Sequence, residues 1–427
     1  MEELIGLFRD ISAEILRNVE KVEDLTTIGS RPGQYYLDLI ADEVVLNQLT
    51  KNHLNVMSEE SGFTDNSSTI TVVVDPIDGS TNLSRSLPWY ATSFCAVKDD
   101  KRIASLIVNL ANGDEFYTIG DGPSFRNNRL IQTSENDDLS NAVISFSGFP
   151  IDEVKYRQYR SFGAAALEIS LVGAGGLEGY VDVSSEGLGI WDYYGALHIA
   201  SNAGCRYSEV TGLDIDTLIY ENRRHPIVAS SERLLKDLRE SLEKTRRRQA
   251  IREVVRIAER RLICSESLKE QKAANMFLSY LPKLDSPFSE FADENHVTAS
   301  AIVVSSLGFL LHKHLKLGEW MQPGGHIDGF EMPWEAVIRE TEEETGLKVK
   351  HFRDVPTVIN IDVLRGVANH QHFDLRYLLT AEPLLPKPPM NESQEVRWMS
   401  YDEAKSLVDE SVLSALDSAN KYIESVS

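Results

Sequence analysis

The chain has 427 residues, 42% of them hydrophobic and 26% charged, with a formal net charge of -23. That composition excludes a disordered or fibrous chain and leaves room for two or three domains with real cores. The acidic balance excludes a basic surface as the means of drawing in phosphate or nucleic acid, and points instead to divalent cations as the bridge to anionic ligands.

The acidic start Met1-Glu2-Glu3 has the wrong charge for a secretory signal. Apolar spacing near 3.6 (Leu4, Leu7, Phe8, Ile11, Ile15) predicts a helix, followed by a break at Gly29-Ser30 and Arg31-Pro32-Gly33 and a second helix from Leu37 to Leu49. From Ile70 to about Ser147, β-rich runs such as Ile70 to Val74 and Ile103 to Leu110 alternate with turns at Asn112-Gly113-Asp114 and Gly120-Asp121-Gly122, which predicts a sheet. Helices follow at Gly163 to Val172 and Tyr193 to Ala203, the second stopped by Gly204. Ser231 to about Arg261 reads as a bridging helix. Its stripe of Arg248, Arg252, Arg256 and Arg260 reads as a solvated or interdomain face rather than a nucleic-acid surface. Leu281 to Asn295, with Pro282 and Pro287, reads as a connector into a second domain that starts near Val297. The expected division is 1–235, a helical linker and connector at 236–294, and 295–427. Val297 to Leu311, the longest uncharged stretch, is short for a membrane span. Cys95, Cys205 and Cys264 show no metal spacing, so a reducing cytoplasm is expected, with core or bystander thiols.

Two acidic signatures carry the chemistry. In the first, a buried-strand pattern from Thr69 to Val74 runs into Asp75, and Pro76 forces a turn that leaves Asp75 and Asp78 on one rim. Gly79 allows close approach to a ligand, and Ser80 is placed to cap a short helix whose amides suit phosphate. Ser58-Glu59-Glu60-Ser61 and Trp191-Asp192 supply further carboxylates, although helix capping alone would also account for Asp192.

Glu59-Glu60, Asp75-Pro76-Ile77-Asp78-Gly79-Ser80 and Trp191-Asp192, in that order, resemble the inositol monophosphatase superfamily of magnesium-dependent phosphatases over roughly residues 1–235. The resemblance implies a layered αβαβα sugar-phosphatase fold, and metals held by Glu59, Asp75, the Ile77 carbonyl, Asp78 and Asp192. Glu59 and Ser80 would orient the attacking water, and Gly79, Ser80 and Thr81 would face the phosphate. Arg160 to Ala165 resembles the family's substrate-side loop, which brings in Gly163 and Ala164, with Ala164 standing where threonine is common. The family's sugar-binding acid falls on Asp182 by counting forward from Gly163, and near Ser185 and Glu186 by counting back from Trp191. Its N-terminal aspartate is either Asp38 or Asp42.

In the second signature, Gly325 is followed by Glu331 and then by Arg339-Glu340-Thr341-Glu342-Glu343-Glu344-Thr345-Gly346-Leu347. Pro333 suits the first turn of a helix with Trp334, Val337 and Ile338 on its apolar face, ending before Gly346. Glu340 and Glu344 are i,i+4 neighbours whose repulsion a bound cation would reverse, and Arg339, one turn before Glu343, could hold that carboxylate in place. The spacing resembles the Nudix box, with Thr341 where an aliphatic residue is usual. The resemblance implies an α/β/α sandwich over residues 295–427 that cleaves a nucleoside diphosphate linked to a moiety X. Glu340, Glu343, Glu344 and the Gly324 carbonyl would be its metal ligands. One of the glutamates, such as Glu340 or Glu343, or a loop acid would be the base, and Arg339 would lie against substrate. His326, His370 and His372 are candidate substrate contacts.

The whole chain is thus expected to be an α/β and α+β protein of two domains. Its expected activity is that of a bifunctional phosphohydrolase using Mg2+, or Mn2+, in both domains on small phosphorylated substrates. No nucleic acid is expected as primary ligand and no membrane; homodimers are frequent in both families. The alternative is one active hydrolase domain with the other as a ligand-sensing regulatory module.

Overall fold

A computed structural model of the chain describes residues 1–427 apart from 30, 32–33, 150–154, 185, 285–286, 290–294, 329–330, 366–370 and 427. It divides into two compact units, Met1–Leu242 and Glu243–Ser427.

The first unit is organised about an eight-stranded sheet in the order Gly62–Thr64, Asn55–Ser58, Thr71–Asp78, Ala91–Lys98, Lys101–Asn109, Glu115–Ile119, Ser124–Arg126, Arg129–Leu130. Strands Asn55–Ser58 and Thr71–Asp78 run parallel, so their C-terminal ends, with Glu59 just beyond one and Asp75 near the end of the other, lie side by side. Alternation of side chains sorts the two faces. Val72 and Val74 pack with Phe8, Ile11 and Val45 of the helices Glu2–Val19 and Tyr36–Lys51. Val73 turns the other way, toward Ala166, Ile169 and Leu197 of the helices Ala165–Gly173 and Ile190–Asn202. A five-stranded sheet, in the order Gln158–Arg160, Val143–Ser147, Gly179–Asp182, Pro226–Ala229, Arg206–Glu209, covers those middle helices through Tyr180 and Val228. The first turns of the helix Glu232–Cys264 lie on it, since a Cβ on Gly179 would meet a Leu238 methyl at 3.2 Å. The layers are therefore αβαβα.

The second unit has a mixed sheet whose central pair, Asn295–Ser305 and Gln371–Ala381, is parallel and in register over ten residues, from Asn295 opposite Gln371 to Val304 opposite Thr380. One face carries Val297, Ala299, Ala301 and Val303, packed with Ala336 and Val337 of the helix Pro333–Thr345. Val254, Ala258, Ala273, Ala274 and Phe277, from the helices Glu232–Cys264 and Leu268–Tyr280, join the same core, so residues that read as a bridge supply core side chains. The other face changes character along its length. Ile302 and Leu378 lie under Val412, Ala415 and Leu416 of the helix Glu410–Val426, whereas His296 with His372, Thr298 with Asp374 and Ser300 with Arg376 form a polar row. Helices on both faces make this an α/β/α sandwich.

Gly346 ends the helix Pro333–Thr345 with φ +67°, and its amide donates to the Glu342 carbonyl. A Cβ there would run into the Lys387 carbonyl, whereas at Gly318, φ +70°, it would meet open space. Gly346→Ala is expected to destabilise the second unit by about 1–3 kcal/mol or more, and Gly318→Ala by the lower end of that range only. Urea unfolding of the two variants checks this, and equal losses would contradict it.

Candidate active sites

In the first unit the parallel strand pair and the start of the helix Ile190–Asn202 bring three carboxylates together. Glu59, Asp75 and Asp192 each offer an oxygen, and the three oxygens lie within 4.8 Å of one another. Asp75 is 1% exposed. Burial, then the charges of Glu59 and Asp78, push its carboxyl well above the usual range. Burial, then Asp192 and Glu60, push Glu59 up to about 8, and burial followed by Asp78 does the same to Asp192. The strongest charges acting on Asp75 are all other carboxylates. Such a set of buried hard oxygens fits a divalent cation of the magnesium class, the counter-charge that would let all three ionise.

Asp192 does both things the sequence suggested. Its carboxylate accepts the Gly189 N–H at 2.7 Å at the head of its helix, and it also belongs to the trio. Asp78 lies next along the strand from Asp75. Its two oxygens accept the amides of Ala165 (3.2 Å) and Ala166 (2.7 Å) at the first turn of the helix Ala165–Gly173, and it stands outside the trio. Burial still raises it to about 8. Ile77 is buried in the bulge, its amide donating to Asp75 at 2.9 Å. Asp38 is pushed up to about 7 by burial and held back by the Tyr35 amide and the Ser80 hydroxyl, so Asp38 rather than Asp42 adjoins Ser80. Asp42 is committed to the hydroxyls of Ser58 and Ser61.

The cap of the short helix Ser80–Ser84 is Gly79, not Ser80. With φ +87°, Gly79 comes so near the opposite loop that a Cβ would sit 3.0 Å from the Gly163 carbonyl. Asn82 ties the two loops by donating to the carbonyls of Phe162 (2.7 Å) and Trp89 (2.8 Å). Thr81 is exposed beside these contacts. Glu168, absent from the sequence reading, shapes the facing loop: its carboxylate accepts the amides of Gly163 (2.8 Å) and Ala164 (3.1 Å) and the Ser145 hydroxyl. Ala164 is buried and offers only backbone. Asp182 is fully buried with its carboxylate 2.6 Å from His225 Nδ1. Glu186 is exposed, and Ser185 lies outside the described residues. His225 and Arg223, whose guanidinium lies 4.8 Å from the Trp191 ring centroid, carry no motif.

In the second unit Glu344 accepts the Gly324 amide at 2.9 Å, which ties that glycine to the helix Pro333–Thr345. Burial pushes Glu344 up to about 8 and raises Glu340 as well. His312 Nδ1 lies 3.9 Å from Glu344, but burial depresses the imidazole to about 4, so at neutral pH the pair carries no full ionic attraction. Glu340 abuts Gly325, Glu343 is mostly exposed, and the three box glutamates form no group with oxygens within 4.8 Å among the described residues. Arg339, expected against substrate, has no donor to spare. Its Nε donates to Glu331, one terminal nitrogen to Glu340 and Glu343, and the other to Glu331 and the His326 carbonyl, at 2.7–3.1 Å. It holds the box together, Glu343 one turn on included. A cleft of about 410 Å3 is lined by Glu340, Glu344, Gly324, His326, His372 and Asp374, among others. His370 lies outside the described residues.

Glu59, Asp78 and Asp192 thus release protons near pH 8 in the fold and near 4 when unfolded. A raised folded value means that their contribution to stability is fully present in acid and lost as pH rises from about 4 to about 8. Divalent cations bind the deprotonated groups, so they restore more at higher pH. The Tm difference between Mg2+-loaded and chelator-treated protein is therefore expected to widen from about pH 5 to about pH 8; a constant difference would remove the argument.

Among the described residues no helix is long and apolar enough to cross a membrane. The inositol monophosphatase family model matches residues 33–247, and the NUDIX domain model matches residues 294–416. A fructose-1,6-bisphosphatase from Pyrococcus furiosus is 33% identical over 210 residues, 48% of this chain and 82% of that protein. A fructose-1,6-bisphosphatase/inositol-1-monophosphatase from Archaeoglobus fulgidus is 28% identical over 242 residues, 54% of this chain and 94% of its own length. Among solved structures, a hypothetical protein of Pyrococcus horikoshii described as having similarities to inositol-1-monophosphatase aligns with TM-score 0.50 and 25% identity, over 55% of this chain and 97% of that one. Both families are hydrolases of phosphate compounds and generally use divalent metals. With the αβαβα layers and the carboxylate trio, these matches establish that the chain belongs to the inositol monophosphatase family and carries a NUDIX domain behind it.

Proposed function

We propose that the chain is a bifunctional magnesium-dependent phosphohydrolase, with Mn2+ as a substitute. The first unit would hydrolyse a sugar- or polyol-type monophosphate, and the second would cleave a nucleoside diphosphate linked to a moiety X. The observation that carries the first half is the convergence of Glu59, Asp75 and Asp192 within 4.8 Å. Two relatives named as fructose-1,6-bisphosphatases favour a sugar phosphate as its substrate class.

Bound cations would neutralise the phosphate and ease deprotonation of the attacking water. The protein's own part is positioning. Glu59 and Ser80 orient the nucleophilic water, and the backbone of Gly79, Ser80 and Thr81 faces the phosphate. The Gly163-Ala164 loop, held by Glu168, closes the opposite side. Asp182, fixed by His225, is the acid that would receive a sugar hydroxyl. In the second unit Glu340 and Glu344 would hold the cation beside the diphosphate, with Glu340 or Glu343 as base. Arg339 keeps Glu340 and Glu343 in place. The fusion suggests that cleavage of a nucleotide sugar in the second unit yields the monophosphate that the first unit strips.

Orthophosphate and nucleotide release from fructose 1,6-bisphosphate, inositol monophosphate, nucleotide sugars and ADP-ribose tests the reading. Asp75→Asn is expected to lower monoester hydrolysis by at least about 100-fold and to spare diphosphate cleavage, and Glu344→Gln to do the reverse. If neither variant changes any activity, the two-site reading fails.

A further inference from the structure

Three imidazoles meet at one end of the polar row in the second unit. His296 and His372 are directly opposite each other in the parallel pair, and His326 is paired with Thr298. Residues opposite each other share a face, and so do residues two apart in one strand, so all three side chains project from the same side of the sheet. Their ring centroids are 4.8 Å (His296–His372), 5.0 Å (His296–His326) and 5.4 Å (His326–His372) apart. One nitrogen from each lies within 4.8 Å of the other two. His296 is fully buried, whereas His326 and His372 line the cleft that also holds Glu340 and Glu344.

We propose that His296, His326 and His372 form a binding site for a transition-metal ion of the zinc class, separate from the carboxylates of the box. Imidazole nitrogens select zinc, cobalt, nickel or copper, while magnesium and calcium prefer oxygen donors, so the two donor sets address different ions. Two ligand nitrogens on a tetrahedral zinc lie about 3.4 Å apart, so nitrogens that lie within 4.8 Å of one another need to close by about 1.4 Å at most. Three protein ligands leave a coordination position for an anionic oxygen, and, resting on the function proposed for this unit, that oxygen would belong to a phosphorylated compound. The half-buried pair on the cleft wall supplies the entry path that the fully buried His296 lacks. Ring packing alone would be the bland account of the cluster, and it requires no metal.

The test uses the full chain, stripped with chelator, desalted, and offered Zn2+ or Co2+ in excess Mg2+ to keep the carboxylates occupied. About one zinc per chain is expected to remain after gel filtration, with visible Co2+ bands of a four- or five-coordinate nitrogen site, and zinc is expected to raise Tm. His326→Gln and His372→Gln, both at half-buried positions and both checked for folding by circular dichroism, should weaken zinc binding by at least about 100-fold, more than loss of an outer-shell partner does. Asp75→Asn and Glu344→Gln should keep it. The proposal is overturned if the wild type retains no zinc under magnesium, if the folded histidine variants keep it, or if Glu344→Gln abolishes it equally. Since the readout is bound metal rather than turnover, failure of the bifunctional reading leaves this test intact.

Discussion

The first unit depends on a repulsion. Three carboxylate oxygens within 4.8 Å of one another would, if all were charged, repel by about 3 kcal/mol per pair at an effective dielectric of about 20. The chain accepts that arrangement because its strand order leaves no other outcome. Val72, Val73 and Val74 are buried on alternate faces, the strand runs on through Pro76 to Asp78 with its register shifted between Asp75 and Asp78, and the parallel neighbour places Glu59 alongside. Backbone amides relieve part of the load: Ile77 serves Asp75, Gly189 serves Asp192, and Ala165 and Ala166 serve Asp78. What remains is the attraction for a cation, so folding and chemistry in this unit draw on the same electrostatic imbalance.

The second unit solves a similar problem by a different route. Its glutamates are clustered by sequence, on one helix, and an arginine supplies the counter-charge. Arg339 bridges Glu331, Glu340 and Glu343 and also reaches the His326 carbonyl, which joins the helix to the strand Gly324–His326 before it. Thr341, the residue that departs from the usual aliphatic choice, is fully buried without penalty because its hydroxyl donates to the Val337 carbonyl, as Thr345 does to that of Thr341. The helix therefore keeps an unbroken buried face under a strongly acidic exposed one.

Much of this is legible in the sequence. The helix from Pro333 to Gly346 follows from proline geometry and 3.6 periodicity, the trio is implied by the resemblance of its three motifs, and the turn expected at Pro76 is a register shift inside the strand Thr71–Asp78. The roles that escaped are those set by long-range pairing. Asp78 is implied as a metal ligand by the resemblance, and what its sequence neighbours do not show is that the helix start at Ala165 supplies the amides its oxygens accept. Arg339 reads as a support for Glu343 and a substrate contact, and the sequence does not show that Glu331 and the His326 carbonyl take up its remaining donors. Glu168, His225 and His296 have no spacing signal at all, since their partners come from other strands and loops. Domain membership of the segment around Phe277 was hidden for the same reason, its polar composition masking a few core contacts.

The same parallel ladder that aligns Ile302 with Leu378 aligns His296 with His372. A slip of one residue in either strand would invert every side chain along it. Greasy contacts and reactive groups would vanish in one stroke, so no misregistered but still compact form can retain a damaged pocket. Selection for a stable ladder therefore proofreads the chemistry at no extra cost, and insertions within these two strands should be the changes this half of the molecule tolerates least.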